Sequence, residues 1–263
     1  TATPGLPHPT PGQLANALLA SLPAGSPLAS VGNTLVALRN AASQLRHHMG
    51  RDHWHAISAV ERDFAQAGAT GSDMTWALQQ LRERLVGIVG AQLDHMTRDD
   101  GWRILTLGRH TERLGFFSQA LAQAFYANAV HDVDGHEAVL TLFDSTISFH
   151  ARYQQSLNTA SLLDLLVISD ENPRSLGFVT TGMHKVLGQL RQHAPENAAD
   201  LAQGIPLASH ASLAQLCAAD ERGNYPHLQA LLQQCDEAAQ RLTEQVSQRH
   251  FTHYHEARRA VWA

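Results

Sequence analysis

Apolar residues recur along most of this chain at three- and four-residue intervals, the period of an amphipathic helix, and runs with strand-like alternation are few. The pattern predicts a short helix over about 13–22, then one capped by Ser30 that carries Val31, Leu35, Leu38, Ala42 and Leu45 on one face. Asp52 is placed to cap a third, with Trp54, Ile57, Val60, Glu61 and Phe64 within it. Ser72 or Asp73 opens a fourth, whose expected buried stripe is Trp76, Leu78, Leu81, Leu85, Ile88, Val89 and Leu93. Asp99 and Asp100 put negative charge at the head of a long helix running to about Ala129, where the dipole favours it. Helices are expected next over about 137–155 and 161–169. Another is opened by Asn172-Pro173 in its cap and first turn, and a last one covers about 227–250. The expectation is an all-α chain, a multi-helix bundle of about nine helices joined mostly by short turns. No repeat of the length typical of helical solenoids is present.

The long central helix carries the least ordinary chemistry. At 100° per residue Trp102, Leu105, Arg109, Glu112, Arg113, Phe116 and Ala120 fall on one side, so three charges share an apolar face. An ion taken out of water costs several kcal/mol, about as much as a small domain can spare, so the trio is expected to be buried and self-compensating. In a functional reading Arg109 and Arg113 present guanidinium forks to an acidic group, and Glu112 orients them or acts on a proton as the candidate catalytic residue. In the simpler reading the same charges are an ion network that fixes helix register. Asp144, Ser148 and Arg152, four apart, are expected on one helical face as an opposite wall, with Arg174 within reach of the Asp144 region. Gly108 in mid-helix costs about 1 kcal/mol relative to Ala, which suggests that a neighbouring helix or a ligand approaches closely.

Composition narrows the function classes. With 263 residues, 44% of them hydrophobic, the chain can bury a full core. Its formal net charge is -5, with 19 basic and 24 acidic residues scattered, so no basic stripe fits a nucleic-acid backbone. Of those basic residues only Lys185 is a lysine, and its surroundings are no phosphate loop. Cys217 and Cys235 are too far apart for a Cys-x-x-Cys element, and reduced thiols in the cytoplasm are expected. No apolar run is long enough to span a membrane, and no basic residue precedes the apolar patch near the start, against a signal peptide. Four of the ten prolines fall within residues 1–12, which suggests a linker or disordered arm ahead of a single helical domain over 13–263. The 17 histidines include His47, His48, His53, His55, His250, His253 and His255, but no Glu-x-x-His or His-Glu-x-x-His element occurs, so no metal site is expected. Trp54, Trp76 and Trp102 are expected in the core.

Three stretches, in order, carry a family likeness. Trp102-Arg-Ile-Leu-Thr-Leu-Gly-Arg-His-Thr-Glu-Arg113 resembles the signature helix of the alpha-E domains, bacterial all-helical proteins with a Glu-Arg motif. Asp144-Ser145 through Arg152-Tyr153 and the segment around Asn172-Pro-Arg-Ser175 are similar to two further elements of that family. The likeness reaches from about Leu14 to His255, and Arg249-His-Phe-Thr-His253 resembles its terminal helix. The family's earlier Glu-Arg-like element has no counterpart upstream of Ser30, and Glu61-Arg62 lacks the preceding Gly-Arg; a fragment of a longer polypeptide is expected. The resemblance implies association with circularly permuted ATP-grasp ligases, and hence with amide or peptide-bond metabolism. ATP and Mg would then be bound by the partner ligase and none by this domain. An accessory domain holding an acidic peptide or carboxylate substrate is the leading expectation. A stand-alone enzyme using Glu112 with Arg109 and Arg113, and a structural adaptor, are the alternatives.

Overall fold

The structure is a computed structural model that describes residues 10–25, 30–46, 49–69, 73–154, 157–193 and 201–251. Among these residues the regular elements are all helical: α1 (Pro11–Ser21), α2 (Val31–Gln44), α3 (Arg51–Ala69), α4 (Met74–His95), α5 (Asp100–Tyr126), α6 (Val133–Leu142), α7 (Thr146–Tyr153), α8 (Thr159–Leu163), α9 (Leu176–His193), α10 (Leu213–Leu216) and α11 (Pro226–Phe251), with a π-helical turn over Asp164–Ile168. The chain is an all-α multi-helix bundle protein. Its helices gather into two compact units, Thr1–Thr97 and Arg98–Ala263, within the stretch read from the sequence as one helical domain.

In the first unit α3 packs against α2 and α4. Leu35, Ala42, Ile57, Val60, Phe64, Ala77, Leu81 and Ile88 form its core. Helix α1 starts earlier than expected because Thr10 and Gln13 form a reciprocal capping box ahead of Pro11. The rest of the proline-rich arm, residues 1–9, lies outside the described residues. Asp73 caps α4 as expected, whereas Asp52 sits in the first turn of α3 instead of capping it. The stripe expected on α4 is corrected: Ala77, Leu81, Ile88 and Gln92 are buried, while Trp76 is 59% exposed, with Val89 and Leu93 also outside.

In the second unit α5 is the central helix, lying against both α9 and α11. Its buried stripe is Leu107, Thr111, Leu114, Phe117, Ser118, Leu121 and Phe125. Thr111 and Ser118 are tolerated there because their hydroxyls donate to the carbonyls of Leu107 and Leu114 one turn back. This stripe is not the face that holds Arg109, Glu112 and Phe116, and Phe116 is 51% exposed. The helix expected over 137–155 is two helices, broken at Asp144, whose φ of 49° lies in the left-handed region. Helix α8 gives way to the π turn, and α9 begins at Leu176, so Asn172-Pro173 lies ahead of the helix and not in its first turn. Close approach is found at Gly182, whose Cβ would stand 2.9 Å from the His110 ring, and at Gly177, whose Cβ would stand 2.3 Å from the Ile168 carbonyl oxygen. At Gly108, by contrast, a Cβ would meet nothing within 4 Å among the described residues.

Candidate functional site

Three segments of the second unit meet near the start of α9. The first is the corner between α6 and α7. There Asp144 turns the chain, and the Ser145 hydroxyl, fully buried, donates to the Phe143 carbonyl at 3.0 Å. The second is the loop over residues 169–175. Asn172, buried, donates its side-chain amide to Ser145 Oγ and to the Leu165 carbonyl, each at 3.2 Å, and accepts from the Arg174 backbone N–H at 3.1 Å. Ser175 closes the arrangement: its hydroxyl donates to the Ser169 carbonyl and accepts from the Phe178 N–H at the head of α9. A buried amide satisfied in this way fixes both loops rigidly and aims Arg174 outward. Its guanidinium reaches Asp144 at 3.0 Å, on side chains that are 44% and 79% exposed.

The third segment is α5, which contributes Arg109, His110 and Arg113. The two arginines are half-buried and stand one turn apart. Burial lowers the pKa of Arg113, and the nearby Arg174 charge lowers it further. Burial and the Arg113 charge act on Arg109 in the same direction. His110 is lowered to about 4, first by burial and then by Arg113 and Arg109, so its ring is neutral near pH 7. Its Nδ1 is buried without a hydrogen-bond partner among the described residues. The charge that acts on Arg113 is another cation, so this guanidinium lacks a counter-charge among the described residues.

The expectation of a self-compensating buried trio is therefore corrected. Glu112 is exposed on the opposite side of the helix from the core stripe and forms no ion pair among the described residues. The cause is that two hydroxyl residues in the true stripe make a different face look more apolar. The wall of Asp144, Ser148 and Arg152 is corrected too. Asp144 precedes α7 and serves Arg174, while Arg152 turns to Asp164 at 3.5 Å, and the Tyr153 hydroxyl donates to the same carboxylate. Of the six residues singled out, Arg109, Arg113, Arg174 and Asp144 come together, whereas Glu112 and Arg152 do not join them. His110, Ser145 and Asn172 lie within the family-like stretches, but nothing in the sequence pattern assigns them a role in the site. Gly182 in the middle of α9 is the one local signal, since a helical glycine facing a ring marks close packing.

Among the described residues no group of three or more His, Cys, Asp or Glu side chains is placed to hold a metal ion. His47, His48, His253 and His255 lie outside the described residues, as do the side chains of the Arg249 to His253 stretch. No helix among the described residues is long and apolar enough to cross a membrane. Cys217 and Cys235 are free thiols, and burial pushes Cys235 up to about 12.

The sequence is similar to proteins described only as uncharacterized. It is 27% identical over 161 residues to Rv2567 of Mycobacterium tuberculosis, covering 57% of this chain and 18% of the relative. A Mycobacterium bovis protein, Mb2597, matches with the same identity and coverage. The aligned part thus spans less than a fifth of those relatives. No solved structure matches the chain significantly. Residues 5–251 match the alpha-E family, described as a predicted alpha-helical domain with a conserved ER motif. With an all-helical fold and Glu112-Arg113 on its central helix, the chain belongs to the alpha-E family.

Proposed function

We propose that this chain is an accessory, substrate-holding domain of a circularly permuted ATP-grasp amide-bond ligase system, and that it holds a carboxylate of an acidic peptide or small acid at Arg113. The partner in this reading comes from the resemblance of the Trp102–Arg113 helix to alpha-E domains, which implies a ligase of that class. The observation that carries the site is the state of Arg113: half-buried, beside Arg174, with no acidic partner among the described residues. Arginine forks bind carboxylates in a bidentate manner, and partial burial strengthens that attraction relative to water. Arg109 adds charge from one turn away. Asp144, largely exposed, pairs with Arg174 and can yield it to a second carboxylate.

ATP and Mg belong to the ligase in this reading, and the domain contributes capture and orientation, which alone lower a bimolecular barrier substantially. The cytoplasm, where ATP is supplied, is the compartment it calls for. The test is co-purification with an ATP-grasp subunit, followed by ADP release with and without this chain and with its Arg113→Met variant. The proposal expects a complex with both forms and stimulation by the unaltered chain only. Absence of a complex, or equal ADP release in all three reactions, contradicts it.

A further inference from the structure

The first unit has a groove of about 580 Å³ between α2 and α3, lined chiefly by Arg39, Asn40, Ser43, Trp54, Ser58 and Glu61. That volume suits a small molecule. Its polar groups are unusually underused. The Glu61 side chain is only 16% exposed, yet its contact with Arg39 is 3.6 Å long, beyond hydrogen-bond range. No hydrogen bond reaches that carboxylate from the described residues. One turn away on α3 the Ser58 hydroxyl oxygen is buried and has no partner among the described residues. A buried hydroxyl of this kind ordinarily finds a partner. Arg62 does not compensate Glu61, because its guanidinium is given to Asp63 at 3.2 Å. On the same wall lies the half-buried Trp54 ring, with Arg46 at 5.6 Å from its centroid.

We propose that this groove binds a free α-amino acid with an apolar side chain. The ammonium donates to Glu61 and Ser58, the carboxylate accepts from Arg39, and the side chain lies along Trp54. Glu61 repels a simple anion and Arg39 a simple cation. A zwitterion set beside the pair makes an alternating arrangement of four charges without breaking the existing contact. It also supplies the donors that Glu61 and Ser58 lack. This site is separate from the arginine cluster, and its existence does not depend on the carboxylate reading there.

The experiment is calorimetric titration of the full chain with L-leucine and L-phenylalanine, alongside N-acetyl-L-leucine and L-leucinamide, each of which lacks one charge. The expected result is saturable binding of a free amino acid and at least tenfold weaker binding of both blocked forms. Glu61→Gln and Arg39→Gln, checked for retained helicity, weaken binding at least tenfold. No saturable binding of either free amino acid, or equal binding of the blocked forms, overturns the proposal. So does affinity unaltered by Glu61→Gln. The comparison with blocked ligands needs no variant, so a substitution that fails to fold leaves the test intact.

Discussion

Arg113 holds a charge in surroundings that disfavour it. Its pKa is lowered in the folded chain, so folding is opposed by keeping it charged, and a neutral side chain of similar length relieves that opposition. Arg113→Met is therefore expected to keep or raise Tm, by about 2 °C at most, in a thermal melt. A fall of several degrees would mean that the guanidinium is instead a stabilising partner. Exposed Glu112 should tolerate Gln with Tm essentially unchanged. His110 gives a pH signature. Its folded value near 4 lies below the ordinary 6.5, so between those limits the unfolded chain binds the extra proton. Its contribution is fully present above about pH 6.5 and is lost as the pH falls toward 4. Urea midpoints measured across that window should fall less steeply for His110→Gln than for the unaltered chain; parallel curves would contradict the assignment.

Glycines and the Asn172 anchor act at the level of elements. Gly108 faces open space on α5, so Gly108→Ala should stabilise by up to about 1 kcal/mol through helix propensity, as read by chemical denaturation. Gly177→Ala should do the reverse and cost about 2 kcal/mol or more, because its Cβ would collide with backbone that cannot move aside. Asn172→Ala removes three hydrogen bonds from a buried corner and leaves the Leu165 carbonyl and the Arg174 N–H short of a partner, a loss of about 2 kcal/mol. Helix existence and order are legible in the sequence because 3.6-residue periodicity and caps such as Asp73 and Asp99 are local signals. The buried face of α5 is not, since Thr111 and Ser118 hide their polarity by bonding within the helix. The split at Asp144 is not legible either, because a left-handed Asp is held there by the Asn172 contact to its neighbour Ser145, a tertiary cause. The candidate site is half legible. Motif residues Arg113, Asp144 and Arg174 stand out in the sequence, but their meeting depends on a loop about sixty residues beyond Arg113 that no local pattern specifies.

Across the whole molecule, the formal charge of -5 repels anions at long range, so a carboxylate is drawn to the second unit by the local arginine field alone. Its affinity should consequently drop as salt is raised. The two units carry separate cores and, under the two proposals, separate chemistries: cationic beside α5 and α9, charge-balanced between α2 and α3. Carboxylate capture at Arg113 is tested most sharply by calorimetric titration of the full chain with glutarate, a dicarboxylate without an ammonium group, at low salt. The expected result is saturable binding that falls at least tenfold in Arg113→Met and is untouched by Glu61→Gln. Failure of the unaltered chain to bind, or equal binding by Arg113→Met, would contradict it.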